Sequence, residues 1–201
     1  FGIVSGLIHS LRTGEGQIVD STMVDGALSL MSFFYSLKEM GHWDDQRESN
    51  LLDGHAHFYD TYMCADNKYI AIGSIEPQFY KELLDKLEID DQRFLDQYNK
   101  DLWPELKNLI ASKVILKNRS EWEDIFSGTD ACVTPVLNMT EAQQNIHNLK
   151  RNAFTDVDGF NQPSASPRYS VTKPEIKHNA RQVGSDFDEV CNEFGLSKAA
   201  F

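Results

Sequence analysis

The chain has 201 residues, 41% of them hydrophobic and 25% charged, with a formal net charge of −12. That length buries a sizeable core and the composition is ordinary for a globular domain, while the acidity speaks against nucleic acid and anionic membrane surfaces, which require basic partners. No apolar run approaches the ~20 residues of a bilayer-spanning helix, no signal peptide is visible, and Cys64, Cys132 and Cys191 are widely spaced without a CxxC. The cysteines therefore indicate neither a disulfide framework nor a thiolate metal site, and they fit a reducing compartment.

Phe1, Val4, Leu7, Ile8 and Leu11 form a helical apolar face at the very start of the sequence. A chain that opens inside a helix, without a methionine, is expected to be the later part of a longer protein. The run TGEG at 13–16 breaks that helix. QIVDSTM reads as a short β-prone run with Ile18 and Val19 buried, and MVDGALSLMSFFYSLKEMG as one helix of about five turns. The polar stretch 42–50 reads as an excursion joining two lobes.

The run LLDGHAHFYD, at 51–60, raises a chemical question. On a strand, Asp53, His55 and His57 would line one face with successive side chains roughly 7 Å apart. An Asp-x-His-x-His row is a reasonable ligand set for a transition metal, and equally a polar row on a wet face. Tyr59 would share that face and could offer its hydroxyl to a pocket, although a tyrosine there is also ordinary core with a wet tip.

HFYDTYMCADNKYIAIGSI then reads as a β-hairpin turning at Asp66-Asn67, residue types that tolerate a positive φ. EPQFYKELLDKLEI opens a helix with Glu76 in its first turn and Pro77 beside it. Glu76 follows a strand and a glycine, so its carboxylate lies near exposed backbone amides. It can orient a hydrogen bond to a substrate, or simply complement the helix dipole. Helices are expected at about 102–116 and from Glu121, the latter with a Ser120/Glu123 capping box. ACVTPVLN reads as a strand and TEAQQNI as a short helix. From Arg151 a proline-rich segment reads as an extended return strap, and SDFDEVCNEFGLSKAAF as a terminal helix with Phe187, Val190, Cys191 and Phe194 on one side.

Trp103 and Trp122 fall on helical apolar faces, and Trp43 sits where it could cover a junction between lobes. There is no GxSxG, P-loop, HExxH or strand-linked GxGxxG. Without a phosphate cradle, and at −12, the chain is not expected to hold a nucleotide by itself. The residues alone thus indicate an acidic α/β segment that contributes a few polar groups to a pocket.

Taken together, TGEGQIVDSTMVDGALSL, LLDGHAHFYDTYMCADNKYIAIGSIEPQFY, DLWPEL and FSGTDACVTPVLN resemble the α-methylacyl-CoA racemases of the family III CoA-transferases. GSIEPQFY and GTDACVTPVL are the most specific pieces. The resemblance implies an α/β fold: the C-terminal part of a family III CoA-transferase, with a small α/β domain and segments of a large Rossmann-like domain. Composition shifts divide the chain near 45 and near 150, and the resemblance assigns residues 1–45 to the large domain and a linker helix, 46–148 to the small domain, and 149–201 to a strap and terminal helix returning to the large domain.

The implied chemistry interconverts the (R) and (S) forms of 2-methylacyl-CoA thioesters through an enolate, in a homodimer whose subunits interlock. The acyl-CoA is the substrate and no cofactor is implied. The His and Asp that move the protons, and the groups gripping CoA, would precede the TGxGQ segment. The chain is therefore expected to be inactive alone. Glu76 matches the glutamate of the IEPQFY motif, a hydrogen-bonding auxiliary to that acid–base pair. Tyr59 and Gly54 match positions near the substrate, and no metal is implied.

Two alternatives remain: a transferase moving CoA between carboxylic acids through an upstream aspartyl thioester, and a non-catalytic interaction or metal-binding module. IEPQFY favours the racemase, since the transferases tend towards a glycine-rich loop there. Where related racemases read DGGAPFY this chain reads DGHAHFY, and Asn67 stands where a hairpin glycine is usual. The resemblance places the protein in mitochondria or peroxisomes, with the cytoplasm as the other option. The ending SKAAF is not an SKL-type peroxisomal address.

Overall fold

The computed structural model describes residues 1–197. The chain divides into two compact units, Phe1–Val136 and Leu137 onward.

The first unit opens with α1 (Gly2–Thr13), which Gly14 ends in the left-handed conformation at φ 77°. The run QIVDSTM forms no strand. It has no neighbouring strand to satisfy a ladder, and Val19 instead packs on α1 where Gly2 and Gly6 leave room, within 2.9 and 3.2 Å of where a Cβ would stand. The expected five-turn helix is two helices, α2 (Met23–Leu30) and α3 (Ser32–Glu39), interrupted at Met31. Thr22 caps α2 by accepting from the Asp25 N–H at 3.2 Å. None of α1–α3 contains a buried residue. Ile3, Val4, Leu7, Met23, Val24 and Phe33 are all exposed, an apolar extent typical of a surface that packs against more protein.

The core lies beyond residue 50. Strands β1 (Tyr59–Met63), β2 (Tyr69–Gly73) and β3 (Val133–Val136) form an antiparallel sheet in that order. The β1–β2 hairpin pairs Tyr59 with Gly73 and Met63 with Tyr69, and Asn67 takes φ 58° in its turn, as the sequence indicates. Pro135 is tolerated because β3 is an edge strand.

Helices α4 (Pro77–Leu87), α5 (Trp103–Val114) and α6 (Arg119–Phe126) supply Leu83, Leu87, Leu106, Ile110, Val114 and Trp122 to one core with Phe58, Ile70 and Ile72. Helix α6 starts two residues earlier than expected: its capping box is Asn118 with Glu121, whose carboxylate accepts from the Asn118 N–H at 2.8 Å. The Trp103 and Trp122 indoles are buried, donating to the carbonyls of Gln97 and Val114. Trp43 packs edge-on against Phe34, ring centres 4.9 Å apart.

The second unit holds α7 (Met139–Gln144) and α8 (Ile146–Lys150), each begun by an asparagine cap. The region read as an extended strap contains a hairpin, β4 (Phe154–Val157) with β5 (Phe160–Pro163), turning at Asp158-Gly159 with positive φ at both. The Asp-Gly pair is the turn chemistry such a hairpin needs. Helix α9 (Phe187–Glu193) buries Cys191, and Gly195 follows it at φ 62°. The end of the SKAAF run, residues 198–201, lies outside the described residues. Among the described residues no helix is long and apolar enough to cross a membrane.

Candidate active site

Where β1 begins and β2 ends, the register sets Tyr59 opposite Gly73. A cleft of about 450 Å³ opens there, lined among others by Asp53, Gly54, Tyr59, Asp60, Gly73 and Cys132. Its back is the sheet. Its rim is the loop before β1, held by a local hydrogen-bond network. The Asn50 side chain, almost fully buried, accepts from the Asp44 N–H at 2.7 Å and donates to the Asp44 carbonyl at 3.0 Å and the Asp53 carboxylate at 2.8 Å. Asp53 also accepts from the Ser49 and Asn50 N–H groups. Partial burial opposes ionisation, yet the bonds from Asn50, Ser49 and His55 outweigh it and hold the Asp53 carboxyl below its usual range.

Gly54 sits on this rim at φ 91°, a conformation that costs an L-residue about 1–2 kcal/mol. A Cβ there would stand 3.6 Å from the Asp60 carboxylate, so space is not the obstacle. Gly54→Ala is accordingly expected to lose about 1–2 kcal/mol through the backbone. Urea denaturation measures it, and a loss below about 0.3 kcal/mol would show that the loop relaxes to another conformation.

Glu76 occupies the N-cap of α4, with Pro77 at the first helical position. Its side chain makes no cap hydrogen bond, and it is exposed with no hydrogen-bond or ion-pair partner among the described residues. The backbone that carries it is tightly held. Ser74 donates its N–H to the Phe58 carbonyl at 3.0 Å and its hydroxyl to the Ala131 carbonyl at 2.5 Å. The Ile75 carbonyl accepts from Gln97 Nε2 at 3.0 Å and from the Tyr98 hydroxyl at 2.8 Å. A free carboxylate on a fixed base is suited to orienting a hydrogen bond to something outside this chain's own core. It lies near enough to the cleft to act on Cys132. Desolvation, followed by the negative charges of Glu76, Asp130 and Glu82, pushes that thiol's pKa up.

The histidines are not where a strand would put them. β1 begins only at Tyr59, and residues 51–58 form turns, so Asp53, His55 and His57 do not make a row. His57 is fully buried: its Nε2 lies 2.7 Å from the Tyr80 hydroxyl, and its ring meets Phe58, Tyr80 and Phe94 edge-on. His55 packs edge-on against Trp103. The metal alternative rested on strand periodicity, which the turns remove. Among the described residues no group of three or more His, Cys, Asp or Glu is placed to hold a metal ion.

The structure therefore brings Gly54 and Tyr59 into one cleft and sets Glu76 beside it. The sequence did not single out Gly73, Cys132 or Asp60 as cleft residues. The hairpin register would have found Gly73 and Asp60, since both follow from where Tyr59 pairs. Cys132 is unreachable that way, because it enters from across the sheet: its carbonyl accepts from the Gly73 N–H at 3.0 Å.

The chain matches CoA-transferase family III over residues 1–187. It is 41% identical over 200 residues to the alpha-methylacyl-CoA racemase of Mus musculus and 38% identical over 202 residues to that of Homo sapiens. Both alignments take in 98% of this chain and 52% of the relative, so the chain spans about half the length of these relatives. Its fold superposes on the crystal structure of a CAIB/BAIF family protein from Brucella suis with a TM-score of 0.72 at 17% identity, covering 95% of this chain and 51% of that one. This acidic α/β chain belongs to CoA-transferase family III.

Proposed function

We propose that the chain forms the small-domain side of an α-methylacyl-CoA racemase site. The observation that carries this is the Glu76 carboxylate, unpaired and exposed on a clamped N-cap beside the cleft of Gly54 and Tyr59. Similarity to the mammalian racemases supports the racemase branch over the transferase one. A 2-methylacyl-CoA would present its α-carbon near Glu76. A base outside these residues takes the α-proton, the electron pair moves onto the thioester oxygen as an enolate, and an acid on the opposite face returns a proton to carbon. Glu76 hydrogen-bonds to that acid–base pair, and Tyr59 and Gly54 meet the substrate. The proposal includes the principal His and Asp in the family's other half, an interlocked homodimer, no cofactor, and mitochondria or peroxisomes as the location.

The test is α-proton exchange. The complete polypeptide, given one epimer of a 2-methylacyl-CoA in deuterated water, is expected to lose the α-proton signal and form the other epimer. The 201 residues alone are expected to catalyse neither. CoA transfer to a free carboxylic acid without α-exchange would replace the racemase by the transferase.

A further inference from the structure

We propose that Lys107, on α5 and outside the cleft lining, is a positioning residue for this site; the inference rests on the racemase reading above. Its ammonium donates to the Gly54 carbonyl at 2.5 Å and pairs with the Asp60 carboxylate, both of which belong to the cleft wall. One side chain thus ties the rim loop to the first strand of the sheet. The pair is largely withdrawn from solvent, the Lys107 and Asp60 side chains being 32% and 21% exposed. That makes it a better-defined contact than an ordinary surface ion pair.

Past Gly54 the rim is anchored by packing: His55 meets Trp103 edge-on, and Ala56, His57 and Phe58 lie in the core. Its own network, Asn50 with Asp44 and Asp53, is internal to residues 44–55. Lys100, also from the region leading into α5, donates to the Ser49 carbonyl at the long distance of 3.4 Å and lies 3.9 Å from Asp44. Lys107 is therefore the side chain that holds the Gly54 carbonyl against Asp60, the neighbour of Tyr59.

It also neutralises Asp60. Besides Lys107, that carboxylate accepts from the Thr61 N–H at 2.7 Å. Without the ammonium, a bare negative charge would face the cleft, and a CoA thioester is itself strongly anionic. Both consequences fall on substrate binding before chemistry.

The complete polypeptide carrying Lys107→Met is expected to show a KM for 2-methylacyl-CoA about tenfold higher, with kcat within about threefold of wild type. Lys107→Arg, which keeps the charge, should recover at least half of the wild-type kcat/KM. Tm is read on both variants. An unchanged KM in Lys107→Met overturns the positioning role. So does a KM rise that tracks an equal loss of Tm in the Met and Arg variants, because the lysine would then only hold the fold together. A wild-type protein that exchanges no α-proton overturns the reading beneath, independently of the variants.

Discussion

Glu76→Gln is expected to slow α-proton exchange about 10- to 100-fold in the complete polypeptide while leaving the fold intact. The magnitude is that of one hydrogen bond to a charged group, about 1.5–3 kcal/mol in the transition state. The second half of the expectation follows from what Glu76 does not do. Its carboxylate accepts no N–H from α4, and no side-chain hydrogen bond or ion pair ties it to the described residues. Removing its charge costs at most the interaction with the helix dipole, about 0.3–1 kcal/mol. Exchange kinetics and urea denaturation on the same variant separate the two. If the rate is unchanged while stability falls by about 1 kcal/mol, Glu76 is a helix-start residue and the site lies elsewhere.

The second large effect is on stability, and His57 carries it. Burial pushes the pKa of this imidazole down to about 4 from an ordinary value near 6.5. Above pH 6.5 the ring is neutral in both folded and unfolded chains, and its contribution is fully present. As pH falls below 6.5 the unfolded chain takes up a proton that the folded core refuses, so stability declines until the pH has passed through about 4. The loss is on the order of 3 kcal/mol in full and about 2 kcal/mol by pH 5. His57→Gln should remove that part of the slope between pH 6.5 and 5 while retaining a polar partner for the Tyr80 hydroxyl. Urea midpoints at pH 7.5 and 5.0 for both proteins measure it. Equal pH dependence in the two would mean that His57 reaches solvent before it titrates.

The same residue shows where sequence reasoning stops. Histidines two apart after an aspartate suggest ligands only if the chain is extended. That extension is not a local property: the run folds into turns because Ala56, His57 and Phe58 are drawn together into the core beneath α4 and α5. The ring that replaces the proline of the related DGGAPFY motif is held by Tyr80, 23 residues away. Nothing within the run specifies that partner.

Local chemistry was legible where a few adjacent residues decide the outcome. Asn67 in its turn, Pro77 at the head of α4 and Gly14 at the end of α1 each set backbone geometry through their own φ preferences, and the hairpin and helices appear there. Glu76 was legible as unusual because it stands between a strand and a helix start. Its freedom from capping was not, because that depends on the rotamer and on the clamp from Gln97 and Tyr98.

The misreadings share one cause. QIVD is β-prone, but a strand requires a neighbour, and Val19 found the glycine face of α1 instead. The strap near 154–163 had an Asp-Gly turn in plain view, yet its strands carry weak alternation, so the pairing of Phe154 with Pro163 was hidden. The α1–α3 helices have apolar faces as written, although none of their residues is buried among the described residues.

By itself, then, the sequence determined the start of α4, the end of α1, the β1–β2 turn, the acidity that disfavours nucleic acid and the motifs that mark the family, because each is carried by contiguous residues or by bulk charge. Only the tertiary structure decided that Gly54, Tyr59 and Gly73 face one cleft, that His57 lies in the core rather than on a metal, and that Lys107 reaches across 53 positions to the Gly54 carbonyl. Those are long-range contacts, selected by burial and hydrogen-bond satisfaction in the folded chain, and no local preference encodes them.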